Sequence, residues 1–291
     1  MYYPVIDGDG LLYRCGFAAQ HKIYECDGMD FSSKKELETY LKLPRGEPEV
    51  ITTRIELEPV ENAISNVKLV IESIFSTTEA LDYTVYISSN TPTFRDRLAT
   101  IRPYKGNRPA DGKPIHYEAM RNYLINIWQA KECFDLEADD MCAIHQTITK
   151  DSIIVTNDKD LYQIPGWHYN WTKPEQGCFN ISEEEARHWK YIQALCGDAT
   201  DNIEGIPGLG EQGAKKLLND YIGSSDEDYD SICSMYYDTV FTDDFKPLKG
   251  KGITGAAYAK ILGKTPEEIY QENKTLTIIR TSELNIGWEN S

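Results

Sequence analysis

The chain has 291 residues, 41% of them hydrophobic, and a formal net charge of −17. That length suits one large domain or a domain with a smaller appendage, with apolar content enough for a proper core. Overall charge argues against a phosphate-rich partner, because phosphate binding is driven by Lys and Arg, and no apolar run is long enough to span a bilayer. The start of the chain carries no signal-like apolar segment. Seven cysteines without CxxC spacing point to neither a disulfide framework nor a zinc site. A reducing cytoplasm is therefore expected, with no membrane partner. The charge is unevenly spread: between Arg95 and Lys131 eight basic residues stand against three acidic ones. Segregation of this kind can give an acidic chain a locally positive surface.

In chain order, Tyr3-Pro4-Val5-Ile6-Asp7 reads as a short buried strand that delivers a carboxylate to its carboxyl end, where open α/β sheets place ligands. A polar turn at Gly8-Asp9-Gly10 leads into a helix from Leu11. Residues 24–50, with Gly28, Pro44, Gly46 and Pro48, read as an insertion or irregular loop. Helical spacing of Val60, Ala63, Ile64, Val67, Val70, Ile71 and Ile74 marks a helix over 59–76. Tyr83–Ile87 is a second strand. A helix is expected from about Pro114 to Lys131, with Met120, Tyr123, Leu124, Ile127 and Trp128 on one stripe. Another should run from Glu137 to Thr149, with Met141, Ile144 and Ile148 inward. Ser152–Thr156 and Trp167–Trp171 are further strands. This alternation predicts an α/β fold with a mainly parallel sheet covered on both faces. After Ser182 the pattern turns helical: a capping-box helix to about Cys196, a Gly-rich turn at 205–213 entering a helix, an acidic, exposed stretch at 223–231, and a helix from Thr265 to about Arg280.

Three motifs carry chemistry. Glu137, Asp139 and Asp140, then Asp158 and Asp160, then Asp198 and Asp201, join Asp7 at expected strand ends or helix starts. Like charges this close repel unless a cation lies between them. Hard divalent ions with oxygen ligands, two Mg²⁺ or Mn²⁺, are the natural neutralisers, and paired ions suit phosphodiester hydrolysis. Next, Gly208, Gly210 and Gly213 allow backbone N–H groups to approach a phosphate ahead of a helix N-terminus; a plain helix-turn-helix is the alternative. Finally, Tyr104-Lys105-Gly106-Asn107-Arg108 offers cations for a scissile phosphate and a ring for base stacking, or else is a solvated basic turn.

Together, Ile6-Asp7-Gly8, Tyr104–Arg108, Leu136–Asp140, Thr156–Asp160, Gly197–Asn202 and Gly205–Gly210 occur in the order found in the flap-endonuclease/5′–3′ exonuclease superfamily, which the chain resembles over residues 5 to about 220. The resemblance implies a PIN-like fold over 1–180 with a helical arch near 104–131 that passes a single-stranded 5′ end. It implies a helical C-terminal domain over 181–291, whose helix–two-turn–helix near 192–220 grips duplex backbone, often with a bound K⁺. Carried over, Asp7, Glu137, Asp139 and Asp140 hold one metal, and Asp158, Asp160, Asp198 and Asp201 the other. Lys105 and Arg108 contact the scissile phosphate. Tyr104, Gly205, Gly208, Gly210, Gly213, Lys215 and Lys216 contact DNA. The implied activity is metal-dependent cleavage of DNA with a free 5′ end or flap, with RNA–DNA hybrid as a further substrate, by a monomer. One departure stands out: Ser88 occupies a position where the family commonly has Asp, which implies altered metal affinity. A DNA-structure-binding protein without catalysis and a PIN-type endoribonuclease are the alternatives.

Overall fold

The computed structural model describes residues 2–42, 51–109, 112–219 and 225–282. Pro44, Gly46 and Pro48 of the expected loop, and residues 110–111 of the expected arch, lie outside them. The first half is built from β1 (Tyr3–Asp7), α1 (Gly8–Ala18), β2 (Gln20–Cys26), β3 (Met29–Phe31), α2 (Lys34–Leu41), β4 (Thr52–Leu57), α3 (Val60–Thr78), β5 (Thr84–Ser88), α4 (Phe94–Leu98), α5 (Tyr117–Trp128), β6 (Lys131–Cys133) and α6 (Ala138–Thr149). Then come β7 (Ser152–Val155), β8 (Gly166–Tyr169), β9 (Cys178–Ile181), α7 (Glu183–Cys196), α8 (Glu211–Asn219), α9 (Asp226–Phe241), α10 (Gly255–Leu262) and α11 (Pro266–Thr277).

The central sheet has the order β6-β5-β1-β7-β8-β9. All its pairings are parallel except β8 with β9. Alternation along the strands builds two cores, as a period of two requires. Ile6, Val85, Ile87, Ile153 and Val155 pack with α1, α3 and α5. Val5, Tyr86 and Ile154 pack with Ala138, Cys142 and Ala143 of α6 on the opposite face. This is the expected mainly parallel sheet with helices on both faces. The strand ends carrying Asp7 and Ser88 lie side by side, because Asp7 pairs in register with Tyr86.

The structure departs from the expected elements in four places. Among the described residues, 20–42 and 51–57 form a three-stranded antiparallel sheet, β3-β2-β4, with α2 beside it rather than an irregular loop. The helical part of the expected arch, α5, buries Tyr117, Met120 and Leu124 against the core, while Ile127 of its stripe is exposed. In α6, Ile148 points to solvent, and Cys142 and Ala143 fill the core instead. The acidic stretch near 225 opens α9: Ser225 and Asp228 form a capping box, and the acidic first turn complements the helix dipole. Tyr229, Cys233, Tyr237 and Phe241, four residues apart, are buried in a third core with α7, α8, α10 and α11.

α11 ends at Thr277, and the chain runs back to the sheet in extended form. There Arg95, 2% exposed, donates to Asp140 Oδ2 at 2.6 Å and Oδ1 at 2.7 Å, and also to the Leu276 and Ile278 carbonyls. Asp140 is fully buried and accepts further from the Arg280 N–H at 2.8 Å and the Glu137 N–H at 3.1 Å. Both its oxygens are thus committed to joining the helical part to the sheet, which removes Asp140 from the expected ligand set. Replacing Asp140 with Asn leaves a buried guanidinium undercompensated and is expected to cost about 3–5 kcal/mol in urea unfolding. A loss below about 1 kcal/mol, the scale of a solvated pair, would contradict this role.

Candidate metal and nucleic-acid site

At the carboxyl ends of β1, β5 and β7 opens a cleft of about 2080 Å³, lined among others by Asp7, Asp9, Ser88, Lys105, Arg108, Glu137, Asp139, Asp158, Lys159, Trp189 and Lys215. Asp7 ends β1 and caps α1: its Oδ1 accepts from the Asp9 N–H at 3.1 Å, and its Oδ2 accepts from the Thr156 hydroxyl at 3.0 Å. Asp158 caps the short turn after β7 by accepting from the Asp160 N–H at 2.9 Å. Glu137 caps α6 and sets Asp139 in its first turn. Asp160, Asp198 and Asp201 line a smaller space behind, shared with Asp139, Tyr104 and Gln193. Seven of the eight expected carboxylates therefore gather here, and Asp9 joins them, a residue the sequence reading passed over as part of a turn.

Two cations lie inside the acidic set. Lys105, held at φ +53° by its turn, ion-pairs with Glu137 and stands 3.8 Å from Asp201. Arg108 donates to Asp201 Oδ1 at 2.6 Å. Backbone and amide bonds dock this turn onto the 199–202 turn: Lys105 N–H to Asp201 O at 2.9 Å, Asn107 to Ala199 O at 2.7 Å, and Asn202 to Pro103 O at 2.9 Å. The expected stacking role of Tyr104 is not supported. The residue is buried, and its hydroxyl donates to Glu137 at 2.7 Å and to Asp201 at 2.8 Å, so its ring is not presented to a base.

The charges are unevenly balanced. Burial is the largest influence on Glu137 and pushes its carboxyl up, but Lys105 and Arg95 outweigh it and hold the group at about 2. Its neighbours have no such cover. Burial, then the charges of Asp9 and Asp158, raise Asp7 to about 7. Burial, then Asp158 and Asp198, raise Asp160 to about 8. Burial likewise raises Asp9, Asp139 and Asp158. Among the described residues no three acidic, His or Cys side chains already form a closed ligand set, in keeping with Glu137 and Asp201 being drawn to Lys105, Tyr104 and Arg108. An all-oxygen donor set with uncompensated charge nevertheless matches the chemistry of hard divalent cations.

The basic segment differs from the expected positive surface. Arg95, Arg97, Arg102, Lys105, Arg108 and Arg121 each pair with a carboxylate, so most of its charge is balanced by the protein's own acidic side chains. Another cation-bearing patch lies on the cleft wall: the Lys159 and Lys215 ammonium groups stand 5.0 and 5.2 Å from the Trp189 ring centroid, and both pair with Glu211 at 2.7 Å. Lys216 is exposed. In the Gly-rich turn, Gly205 sits at φ +63°, where a Cβ would lie 2.3 Å from the Gly197 nitrogen. This glycine is needed for backbone packing. Gly208 is also at positive φ, whereas Gly210 faces open space and a Cβ on Gly213 would meet Leu209.

No protein-family model matches the chain. It is 28% identical over 181 residues to DNA polymerase I of Bacillus caldotenax, covering 55% of this chain and 20% of that protein. It is 30% identical over 127 residues to the exodeoxyribonuclease of Enterobacteria phage T3, covering 40% of each. In fold it resembles the bacteriophage T5 5′-exonuclease with bound zinc, with a TM-score of 0.55, 17% identity and coverage of 95% of this chain and 89% of that one. These relatives and this fold support the likeness to the flap-endonuclease/5′–3′ exonuclease superfamily. The matched part of the chain spans about a fifth of the polymerase and two fifths of the phage exonuclease.

The raised carboxyls make a pH prediction with a definite sign. Between about pH 4 and pH 8 the unfolded chain loses protons that Asp7, Asp9, Asp139, Asp158 and Asp160 retain when folded, so metal-free stability falls as pH rises. Glu137 acts oppositely, contributing stability that is lost only as pH falls from its ordinary 4.5 toward 2. Calorimetry is expected to show a lower metal-free melting temperature at about pH 8 than at about pH 5.5, with the larger Mg²⁺ increment at the higher pH. A metal-free melting temperature that rises across this interval would contradict the charge assignment.

Proposed function

We propose that the chain is a divalent-metal-dependent 5′–3′ exonuclease or flap endonuclease that hydrolyses phosphodiester bonds of DNA, with RNA–DNA hybrid as a further substrate. The observation that carries the reading is the convergence of Asp7, Glu137, Asp139 and Asp158 with Lys105 and Arg108 on one cleft at the strand ends. Asp7, Glu137 and Asp139 would hold one Mg²⁺ or Mn²⁺, and Asp158, Asp160, Asp198 and Asp201 the other. Bound there, such ions supply an attacking water of lowered pKa and charge relief for the departing 3′ oxygen. Lys105 and Arg108 leave their carboxylate partners for the non-bridging oxygens of the scissile phosphate, where positive charge stabilises the transition state. Tyr104 holds Glu137 and Asp201 in place meanwhile. Named relatives support the reading: the T3 protein is an exodeoxyribonuclease, and a T5 flap endonuclease of TM-score 0.55 is seen in complex with DNA and metal ions.

The same reading divides the chain into a nuclease part over 1–180 and a helical part over 181–291. The duplex runs from the cleft along the wall of Lys159, Trp189 and Lys215. α7, the 197–210 turn and α8 serve as the helix–two-turn–helix that grips its backbone through Gly208, Gly210, Gly213 and Lys216, with K⁺ at the turn. The turns at 104–109 and 112–116 stand where a single-stranded 5′ end enters. The working form is a monomer. No helix among the described residues is long and apolar enough to cross a membrane.

The test is cleavage of a 5′-labelled flap duplex beside a blunt duplex, in Mg²⁺ and in EDTA. Mg²⁺-dependent release of short 5′ products is expected, with cleavage lost but binding retained in Asp158→Asn. In Lys105→Ala the single-turnover rate should fall by about 10²–10³. Junction binding without cleavage in either Mg²⁺ or Mn²⁺ would defeat the nuclease reading.

A further inference from the structure

We infer that Asp9 supplies the carboxylate that the end of β5 lacks, with Ser88 as its anchor, and so acts as a ligand of the divalent-cation site. The inference rests on the metal-dependent reading above. Ser88 ends β5 beside the end of β1, and its polar groups are already committed. Its Oγ accepts from the Ala138 N–H at 3.0 Å, at the start of α6. Its carbonyl accepts from Arg121 at 3.3 Å. Its N–H donates to Asp9 Oδ1 at 3.0 Å. A hydroxyl occupied in capping α6 is poorly placed to hold a metal-bound water, but the residue carrying it fixes a carboxylate brought from 79 positions away.

Asp9 lies in the first turn of α1, where an acidic residue is ordinarily a partner of the helix dipole. Its surroundings exceed that role. The carboxylate is held by the neighbouring strand rather than by amides of its own helix, and among the described residues Ser88 is its only hydrogen-bond partner. It lines the cleft together with Asp7, Glu137, Asp139 and Asp158. The Asp9 N–H in turn donates to Asp7 Oδ1, so the two carboxylates are set by one turn of backbone. A negative charge fixed here against Asp7 is unfavourable without a cation to share. The arrangement therefore keeps the donor count of the site while the carboxylate comes from α1 instead of β5.

The test is Mn²⁺ titration followed by the electron paramagnetic resonance of the free ion, on the full chain and on Asp9→Asn, Asp158→Asn and the double variant Asp9→Asn/Ser88→Asp. Thermal melts in metal-free buffer establish that each is folded. Asp9→Asn is expected to weaken Mn²⁺ binding about tenfold to a hundredfold without lowering the metal-free melting temperature. The double variant, with the carboxylate moved to the end of β5, is expected to return to the parent's range. Parental Mn²⁺ affinity in Asp9→Asn, or no recovery in the double variant, would overturn the inference. If the parent takes up no more Mn²⁺ than Asp158→Asn, the metal reading itself fails.

Discussion

Like-charge repulsion inside a shielded cleft is the constraint on which this molecule turns. Asp7, Asp9, Glu137, Asp139 and Asp158 sit at the ends of adjacent strands and in the first turns of the helices that follow. Parallel strands with helical crossovers bring such positions to one edge, and the helix starts offer N–H groups to carboxylates. The fold therefore makes the acidic cluster geometrically natural while leaving its charge uncompensated. Glu137 alone is well balanced, by Lys105 and Arg95, and the opposed displacements of Glu137 and Asp7 express that division.

The cations show how the two halves of the chain depend on each other. Lys105 and Arg108 come from a turn hydrogen-bonded to the 199–202 turn after α7. Arg95 and Asp140 form a buried pair closed by the end of α11 and the segment that follows it. The carboxylates of Asp198 and Asp201 reach the site because α7 packs beside the turn after β7, where Gln193 donates to Asp160 at 2.5 Å. The helical part is thus a structural component of the acidic site as well as the wall of Lys159, Trp189 and Lys215. Glu211 pairs with both lysines of that wall.

Much of this was legible in the sequence, and the failures have physical causes. The strands of the parallel sheet are short apolar runs buried on both faces, which is the pattern that periodicity reads best. β4 is exposed at all six positions and β3 has three residues, so the small antiparallel sheet carries no alternation to find. α9 left a usable signal: the Ser225–Asp228 cap, then Tyr229, Cys233, Tyr237 and Phe241 at a spacing of four. Its acidic first turn, by composition, reads as an exposed stretch. The ordered acidic motifs located the site, but spacing could not distinguish Asp139, which lines the cleft, from Asp140, whose oxygens face Arg95. That difference depends on a partner 45 residues away. Nor could sequence show that six arginines and lysines of the basic segment are paired within the fold, or that Tyr104 is buried.

The central claim is that these carboxylates form a divalent-cation site, and diffraction from Mn²⁺-soaked crystals at the manganese edge tests it most directly. Two anomalous peaks separated by roughly 4 Å are expected, one among Asp7, Glu137 and Asp139 and one toward Asp158, Asp160, Asp198 and Asp201, with Lys105 turned away from Glu137. A map with no anomalous peak among these side chains, and Lys105 still against Glu137, would contradict the account.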